Sequence, residues 1–87
     1  MAPALQIWSP AFCRHFDGLP AGVQEDITRK VDELGRLLDS WPHSRLKGRK
    51  EFKLRVGDFR VLYDFDLAAG RLHLLTLGTR REIYKRM

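Results

Sequence analysis

An α+β domain is predicted by three patterns that follow one another along the 87-residue chain. Apolar residues recur at helical spacing from Val23 to Leu38, apolar and basic residues alternate strictly from Phe52 to Val56, and Leu72 to Leu77 is almost uniformly apolar. At this length one hydrophobic core is all the chain can build, so residues 1–87 are expected to form a single domain. The expected architecture is an N-terminal strand and an antiparallel helical hairpin packed on an antiparallel sheet of four or so strands.

Ala4-Leu5-Gln6-Ile7-Trp8 has the composition of a short strand. Ser9-Pro10 then supplies a capping side chain and a proline at the first helical position, so a helix follows at once. Phe12, Cys13 and Phe16 share one side of that helix, and Gly18 is expected to end it in the left-handed conformation. Pro20 suits the first turn of a second helix, whose stripe is Val23, Ile27, Val31, Leu34 and Leu38.

Asp39-Ser40-Trp41-Pro42 breaks that helix, and the stretch to Lys50 shows neither period, so it is expected to be a loop. Phe52-Lys53-Leu54-Arg55-Val56 reads as a half-buried strand with a charged outer side. After a turn at Gly57-Asp58, Phe59, Val61, Tyr63 and Phe65 fill the inner face of a second strand. That leaves Arg60, Leu62 and Asp64 outside, and hairpin pairing sets Arg60 on the same face as Lys53 and Arg55. Ala68-Ala69-Gly70 makes a second turn, and the apolar run after it belongs in the sheet interior. Glu82-Ile83-Tyr84 closes the pattern.

Formal charge is +5, with 16 bases against 11 acids, and its distribution is uneven. Asp17 to Asp39 holds six acids and three bases, Arg45 to Arg60 seven bases and two acids, and Arg71 to Met87 five bases and one acid. One acidic helical face and one basic sheet-and-loop face are expected, the electrostatic shape of a phosphate-backbone binder. The single cysteine, Cys13, cannot close an internal disulfide, which fits a reducing cytoplasm. No stretch reaches the roughly 20 apolar residues of a membrane span, and the start lacks the order of a signal peptide, so no membrane association is expected.

Several chemistries lack their motifs. His15, His43 and His73 with one cysteine show no metal-ligand spacing, so neither a metal nor a cofactor is expected. No GxSxG turn is present, Ser9, Ser40 and Ser44 suit caps or loops, and Gly57 and Gly78 read as isolated turn glycines rather than a phosphate-binding loop. His73 is expected to be a hydrogen-bonded structural residue, and Trp8 and Trp41 to pack.

What remains is the basic set: Lys47, Arg49, Lys50, Lys53, Arg55, Arg60, Arg80, Arg81, Lys85 and Arg86. A solvated polar face accounts for such a set equally well on charge alone. Against that, like charges opposed on neighbouring strands repel, a cost that an anionic partner relieves. Tyr84 is also two-valued. Aromatics near a chain end generally pack, yet a phenol among Arg80, Arg81 and Lys85 can stack on a nucleobase or lose proton affinity to its cationic neighbours.

Three segments carry a family resemblance: Leu46-Lys47-Gly48, then Phe52-Lys53-Leu54-Arg55-Val56-Gly57-Asp58-Phe59-Arg60-Val61-Leu62-Tyr63, then Leu77-Gly78-Thr79-Arg80-Arg81-Glu82-Ile83-Tyr84. Together they resemble the RelE/ParE toxin superfamily and, through the closing arginine with a tyrosine four positions on, its RelE branch. The resemblance covers nearly the whole chain. It implies the toxin of a type II toxin-antitoxin system, a metal-independent endoribonuclease that enters the ribosomal A site and cleaves mRNA. In that reaction the ribose 2′-hydroxyl attacks the adjacent phosphate, leaving a 2′,3′-cyclic phosphate and a 5′-hydroxyl.

Carried over by position, the catalytic residues are Lys53, Arg60, Arg80 and Tyr84. Lys53 and Arg60 would clamp the scissile phosphate, Arg80 would stabilise charge near the departing 5′-oxygen, and Tyr84 would stack on or orient the nucleotide. Lys47, Arg49, Lys50, Arg55, Arg81 and Lys85 are the candidate RNA-binding residues. Glu51 departs from the pattern, for well-studied relatives carry a second lysine there. Either Lys47, Arg49 or Lys50 supplies the missing charge, or Glu51 is itself a base for the 2′-hydroxyl, as a carboxylate is in some relatives of the YoeB kind. The resemblance also implies a cognate antitoxin whose acidic helix or extended segment covers the basic face. Two rivals share these features: a ParE-like toxin that inhibits DNA gyrase without cutting RNA, and a non-toxic RNA-binding relative.

Overall fold

The computed structural model describes residues 2–86. Its elements run β1 (Leu5–Trp8), α1 (Pro10–Asp17), α2 (Ala21–Arg36), β2 (Ser44–Arg45), β3 (Phe52–Val56), β4 (Phe59–Asp66), β5 (Arg71–Thr79) and α3 (Arg80–Lys85). One five-stranded sheet takes the order β1-β5-β4-β3-β2. Strands β2 to β5 pair antiparallel, as expected, while β1 joins the edge of β5 in parallel. The parallel join follows from the helices in between, which carry the chain over the sheet before it returns.

Local signals set the helix starts. The Ser9 hydroxyl accepts from the Phe12 N–H at 3.1 Å and donates to the Leu75 carbonyl at 2.6 Å, so one side chain starts α1 and ties it to β5. Gly18 ends α1 at φ −83°, in the right-handed region, so the expected left-handed glycine is not used. The left-handed region is taken instead by Gly48, Gly57 and Gly70, all in turns. The α2 stripe buries Ile27, Val31 and Leu34 as its spacing predicts. The helix stops at Arg36, and Leu38 enters the core from the turn beyond it.

On the inner face of the sheet these residues meet Phe12, Leu54, Val61, Tyr63, Leu72, Leu74 and Leu77. Leu74 and Leu77 are three apart and cannot both face inward on a regular strand. A bulge reconciles them: Leu62 pairs with Thr76 but Tyr63 pairs with Leu74, leaving Leu75 unopposed. Tyr63 is fully buried, its hydroxyl 2.7 Å from Nδ1 of His43, whose Nε2 lies 2.8 Å from the Leu38 carbonyl. That carbonyl can only accept, so Nε2 donates to it, and in the neutral imidazole Nδ1 is left to accept from the Tyr63 hydroxyl. Burial pushes the Tyr63 phenol up to about 12.

Three further expectations are corrected. The loop from Trp41 to Lys50 contains β2, two residues that pair Ser44 with Lys53 and Arg45 with Phe52. Gly78 is not a turn residue but lies within β5. His73, opposite Asp64 on the outer face, makes no side-chain hydrogen bond among those found for the described residues, so the structural role foreseen for it is not seen.

Candidate nucleic-acid interface

The outer face of the sheet, away from the α1 and α2 packing, carries the basic residues. Register places Arg55 directly opposite Arg60, with Gly78 beyond, and Lys53 opposite Leu62. Lys53 and Arg60 are therefore diagonal neighbours on one face, with backbones about 7–8 Å apart. Arg60 donates from Nη1 to the carbonyls of Phe59 at 3.2 Å and Gly57 at 3.5 Å, which holds its guanidinium near the β3–β4 turn.

α3 brings the remaining candidates to that turn. Thr79 and Glu82 form a reciprocal capping box: the Thr79 hydroxyl accepts from the Glu82 N–H at 3.2 Å, and the Glu82 carboxylate accepts from the Thr79 N–H at 2.8 Å. These bonds hold the Glu82 carboxyl below the usual range. The Arg80 N–H then donates to the Asp58 carbonyl at 3.3 Å, pinning the helix start to the hairpin. Ile83, 1 % exposed, packs with Leu46 and Leu62 in a small second core on the outer face. Arg86 donates to the Leu77 carbonyl at 2.9 Å and pairs with Glu82 at 3.6 Å. Gly78 makes this docking possible, since a Cβ there would come within 3.1 Å of the Arg86 guanidinium and 3.2 Å of Glu82. Arg86 thus acts as a strut rather than a ligand.

Arg80 and Tyr84, one helical turn apart, lie together with the guanidinium carbon 5.7 Å from the ring centroid, and Tyr84 is 45 % exposed. Arg81 and Lys85 are exposed on α3, and Lys47, Arg49 and Lys50 on the turn before β3. Among the described residues, Lys53, Arg55, Arg60 and Arg80 make no ion pair. A patch of cations thus surrounds the β3–β4 turn, free of carboxylate partners and flanked by an aromatic ring.

Glu51 is engaged differently. Arg49 grips its carboxylate with two parallel bonds of 3.1 Å, and this contact lowers the proton affinity of Glu51. Both oxygens are occupied and their basicity is reduced, which weighs against Glu51 as the base for a 2′-hydroxyl. It also removes Arg49 as a free cation and leaves Lys47 and Lys50 as the loop charges without an ion-pair partner among the described residues. Glu51, Lys50, Asp64 and Leu75 line a shallow cavity of about 470 Å3 beside the patch. Among the described residues no group of three His, Cys, Asp or Glu side chains is placed to hold a metal ion, and no helix is long and apolar enough to cross a membrane.

No family model matches the chain, and no curated protein is significantly similar to it in sequence. Solved structures are similar in fold. The RelBE2 toxin-antitoxin complex of Mycobacterium tuberculosis contains a chain with a TM-score of 0.76 and 21% identity, over 92% of this chain and 94% of that one. A mutant of the E. coli toxin RelE in the free state gives 0.74 and 17%, over 97% and 93%. The RelB-RelE antitoxin-toxin complex of Methanococcus jannaschii gives 0.70 and 15%, over 93% and 98%. With near-complete coverage in both directions, the strand, helix pair, sheet and closing helix described above make up the fold of the RelE toxins.

Proposed function

We propose that this protein is a ribosome-dependent mRNA endoribonuclease, the toxin of a toxin-antitoxin pair. The observation that carries the reading is the pair Arg55 and Arg60, opposed across the hairpin with Lys53 and Arg80 close by, none of the four ion-paired among the described residues. Such a cluster disfavours the free protein and favours one with a phosphate bound.

In this reading the substrate supplies its own nucleophile. The 2′-oxygen bonds to phosphorus and releases its proton to solvent, the phosphorus–O5′ bond breaks, and O5′ takes up a proton from solvent. The products are a 2′,3′-cyclic phosphate and a 5′-hydroxyl. Negative charge accumulates on the phosphoryl oxygens and then on O5′, and the protein's part is to meet it. Lys53 and Arg60 hold the phosphoryl oxygens, where removal of one such donor costs about 10²–10³-fold in rate. Arg80 stabilises the leaving oxygen as a fixed charge, since a guanidinium with a pKa above about 12 gives up no proton. Tyr84, with Arg80 against its ring, offers a stacking surface for the neighbouring base. Lys47, Lys50, Arg81 and Lys85 contact flanking phosphates.

The partner is an antitoxin, a reading supported by relatives of this fold that were solved as toxin-antitoxin complexes. An acidic segment laid over the cation patch would block the site and relieve its repulsion together.

The test is to induce the protein in bacterial cells and map new RNA 5′ ends, beside an Arg60→Ala/Arg80→Ala variant at matched expression. Cuts confined to translated messages and lost in the variant are expected. Growth arrest with intact messages and accumulating double-strand DNA breaks would overturn the reading in favour of a gyrase inhibitor.

A further inference from the structure

The two edges of the sheet are protected unequally. β2 is only two residues long and carries Arg45, which guards it against pairing with another chain. β1 is covered only at its start, where the outward Ala4 N–H donates to the Gly35 carbonyl of α2 at 3.0 Å; beyond that, residues 2–13 contain no charged side chain, and β1 itself has no proline or bulge. In its parallel ladder with β5, Leu5 donates to the Gly70 carbonyl and Ser9 to the Leu74 carbonyl. Leu5, Ile7 and Ser9 therefore face β5, and the backbone N–H and C=O of Gln6 and Trp8 point away from the sheet. Among the described residues neither N–H has a partner. Leu5 is 64% and Ile7 37% exposed, and Leu67, on the turn whose Gly70 bonds Leu5, is 52% exposed. Three of the five exposed large apolar side chains among the described residues thus line this one edge, which separates it from scattered surface residues.

We propose that β1 is a self-association edge, pairing antiparallel with β1 of a second copy about a two-fold axis at Ile7. In that register Gln6 of one copy lies opposite Trp8 of the other, and the pair exchanges both hydrogen bonds. The symmetry repeats the exchange, so all four outward N–H groups and all four carbonyls are satisfied. Ile7 meets its counterpart in the close, non-hydrogen-bonded position. A shift of one residue would leave the outward groups of one strand facing the β5-bonded groups of the other. The occupant is a second copy because an uncharged edge suits an uncharged strand, and β1 matches itself in both spacing and apolarity. The nearest basic cluster lies at the far end of the β3–β4 hairpin, so pairing does not bring the cation patches together. The contact is small, and the dimer it forms is weak and reversible.

Register makes the test specific. In a Cys13→Ser background, Ile7→Cys sets two thiols on backbones about 4.5 Å apart at the axis, within disulfide reach. Leu5→Cys sets its thiols about 14 Å apart across the axis. With oxidised glutathione at high protein concentration, rapid disulfide dimerisation of Ile7→Cys and at least a tenfold slower reaction of Leu5→Cys are expected. Sedimentation equilibrium of the unaltered chain should show reversible dimerisation that Ile7→Lys abolishes, with circular dichroism confirming that the variant folds. Equal crosslinking at the two positions, or an unaltered chain that stays monomeric at millimolar concentration, overturns the proposal. A chain that binds this edge only through a different protein would appear as the second of these outcomes.

Discussion

Replacing Arg55 with glutamine should make the protein more stable and worse at holding RNA. Arg55 is exposed, Arg60 is its cross-strand partner, and neither has an ion-pair partner among the described residues. Two guanidiniums splayed to about 7 Å in a water-like dielectric repel by about 0.6 kcal/mol, inside the range of about 0.2–1 kcal/mol for opposed side chains in a sheet. In a domain of this size that corresponds to a rise in Tm of about 2–5 °C at low salt. In about 1 M salt the Debye length shrinks to about 3 Å and the gain should largely vanish. Among the described residues Arg55 makes no side-chain hydrogen bond that the substitution would forfeit, which makes it a cleaner probe than Arg60. Thermal unfolding in a salt series measures the first effect. Anisotropy of a labelled single-stranded RNA measures the second, where loss of one phosphate contact lowers the slope of log affinity against log salt by about 0.7. An Arg55→Gln protein that is less stable at low salt, or that keeps the full salt slope, would refute the argument that this pair is a strained phosphate seat.

Ile83→Ala should cost about 2–5 kcal/mol if α3 stays docked over the cavity it leaves, and less if the helix lets go. In the second case hydrogen exchange would show α3 opening ahead of the sheet, and RNA cleavage would fall with Arg80 and Tyr84 intact; cleavage unaffected by either route would mean that α3 does not position the site. Tyr63 should resist ionisation, because burial raises its phenol to about 12 from about 10 in the unfolded chain. Its folded value is the higher one, so the associated stability is complete below pH 10 and is lost as pH rises toward 12. In a Tyr84→Phe variant, phenolate absorbance near pH 10.5 without loss of native circular dichroism would contradict this.

Where a structural decision is local, the residues announce it. The Ser9-Pro10 start, the α2 stripe and the alternation of β3 and β4 each repeat a signal within one element, and all three appear where expected. The shared face of Lys53 and Arg60, and the approach of Arg80 to Tyr84 over one helical turn, follow from the same periods. Decisions that join distant segments are not written this way. The direction of β1 depends on β5, more than sixty residues on, and the bulge at Leu62/Tyr63 exists only because two strands must reconcile their inward residues. β2 is too short to show a period, and α3 buries only Ile83, so neither has a stripe to read. The signal that α3 did leave is Thr79-Arg80-Arg81-Glu82, a capping-box spacing. The grip of Arg49 on Glu51 follows a left-handed turn at Gly48 that no period announces, and nothing in residue order distinguishes Arg86, which braces α3, from the free cations before it.

Glu51 is where resemblance and geometry part most usefully. As a general base it would be responsible for about 10²–10⁴-fold of the rate, and Glu51→Gln should then cut cleavage by that factor and remove a carboxylate limb from the pH profile. The structure favours the opposite outcome. Its carboxylate accepts two bonds from Arg49, which lowers its proton affinity, and its backbone carbonyl accepts from the Leu46 N–H at 2.9 Å. The side chain is thus a tether for Arg49, and the amide variant loosens that tether by removing the charge. Cleavage by Glu51→Gln should equal or exceed that of the unaltered chain, because the released Arg49 becomes a free cation beside the patch. Glu51→Gln/Arg49→Ala should return it to the starting rate, since the double variant neither binds nor frees that charge. A loss of a hundredfold or more in Glu51→Gln, with binding of single-stranded RNA unchanged, would restore Glu51 as the base and make Arg49 the group that orients it.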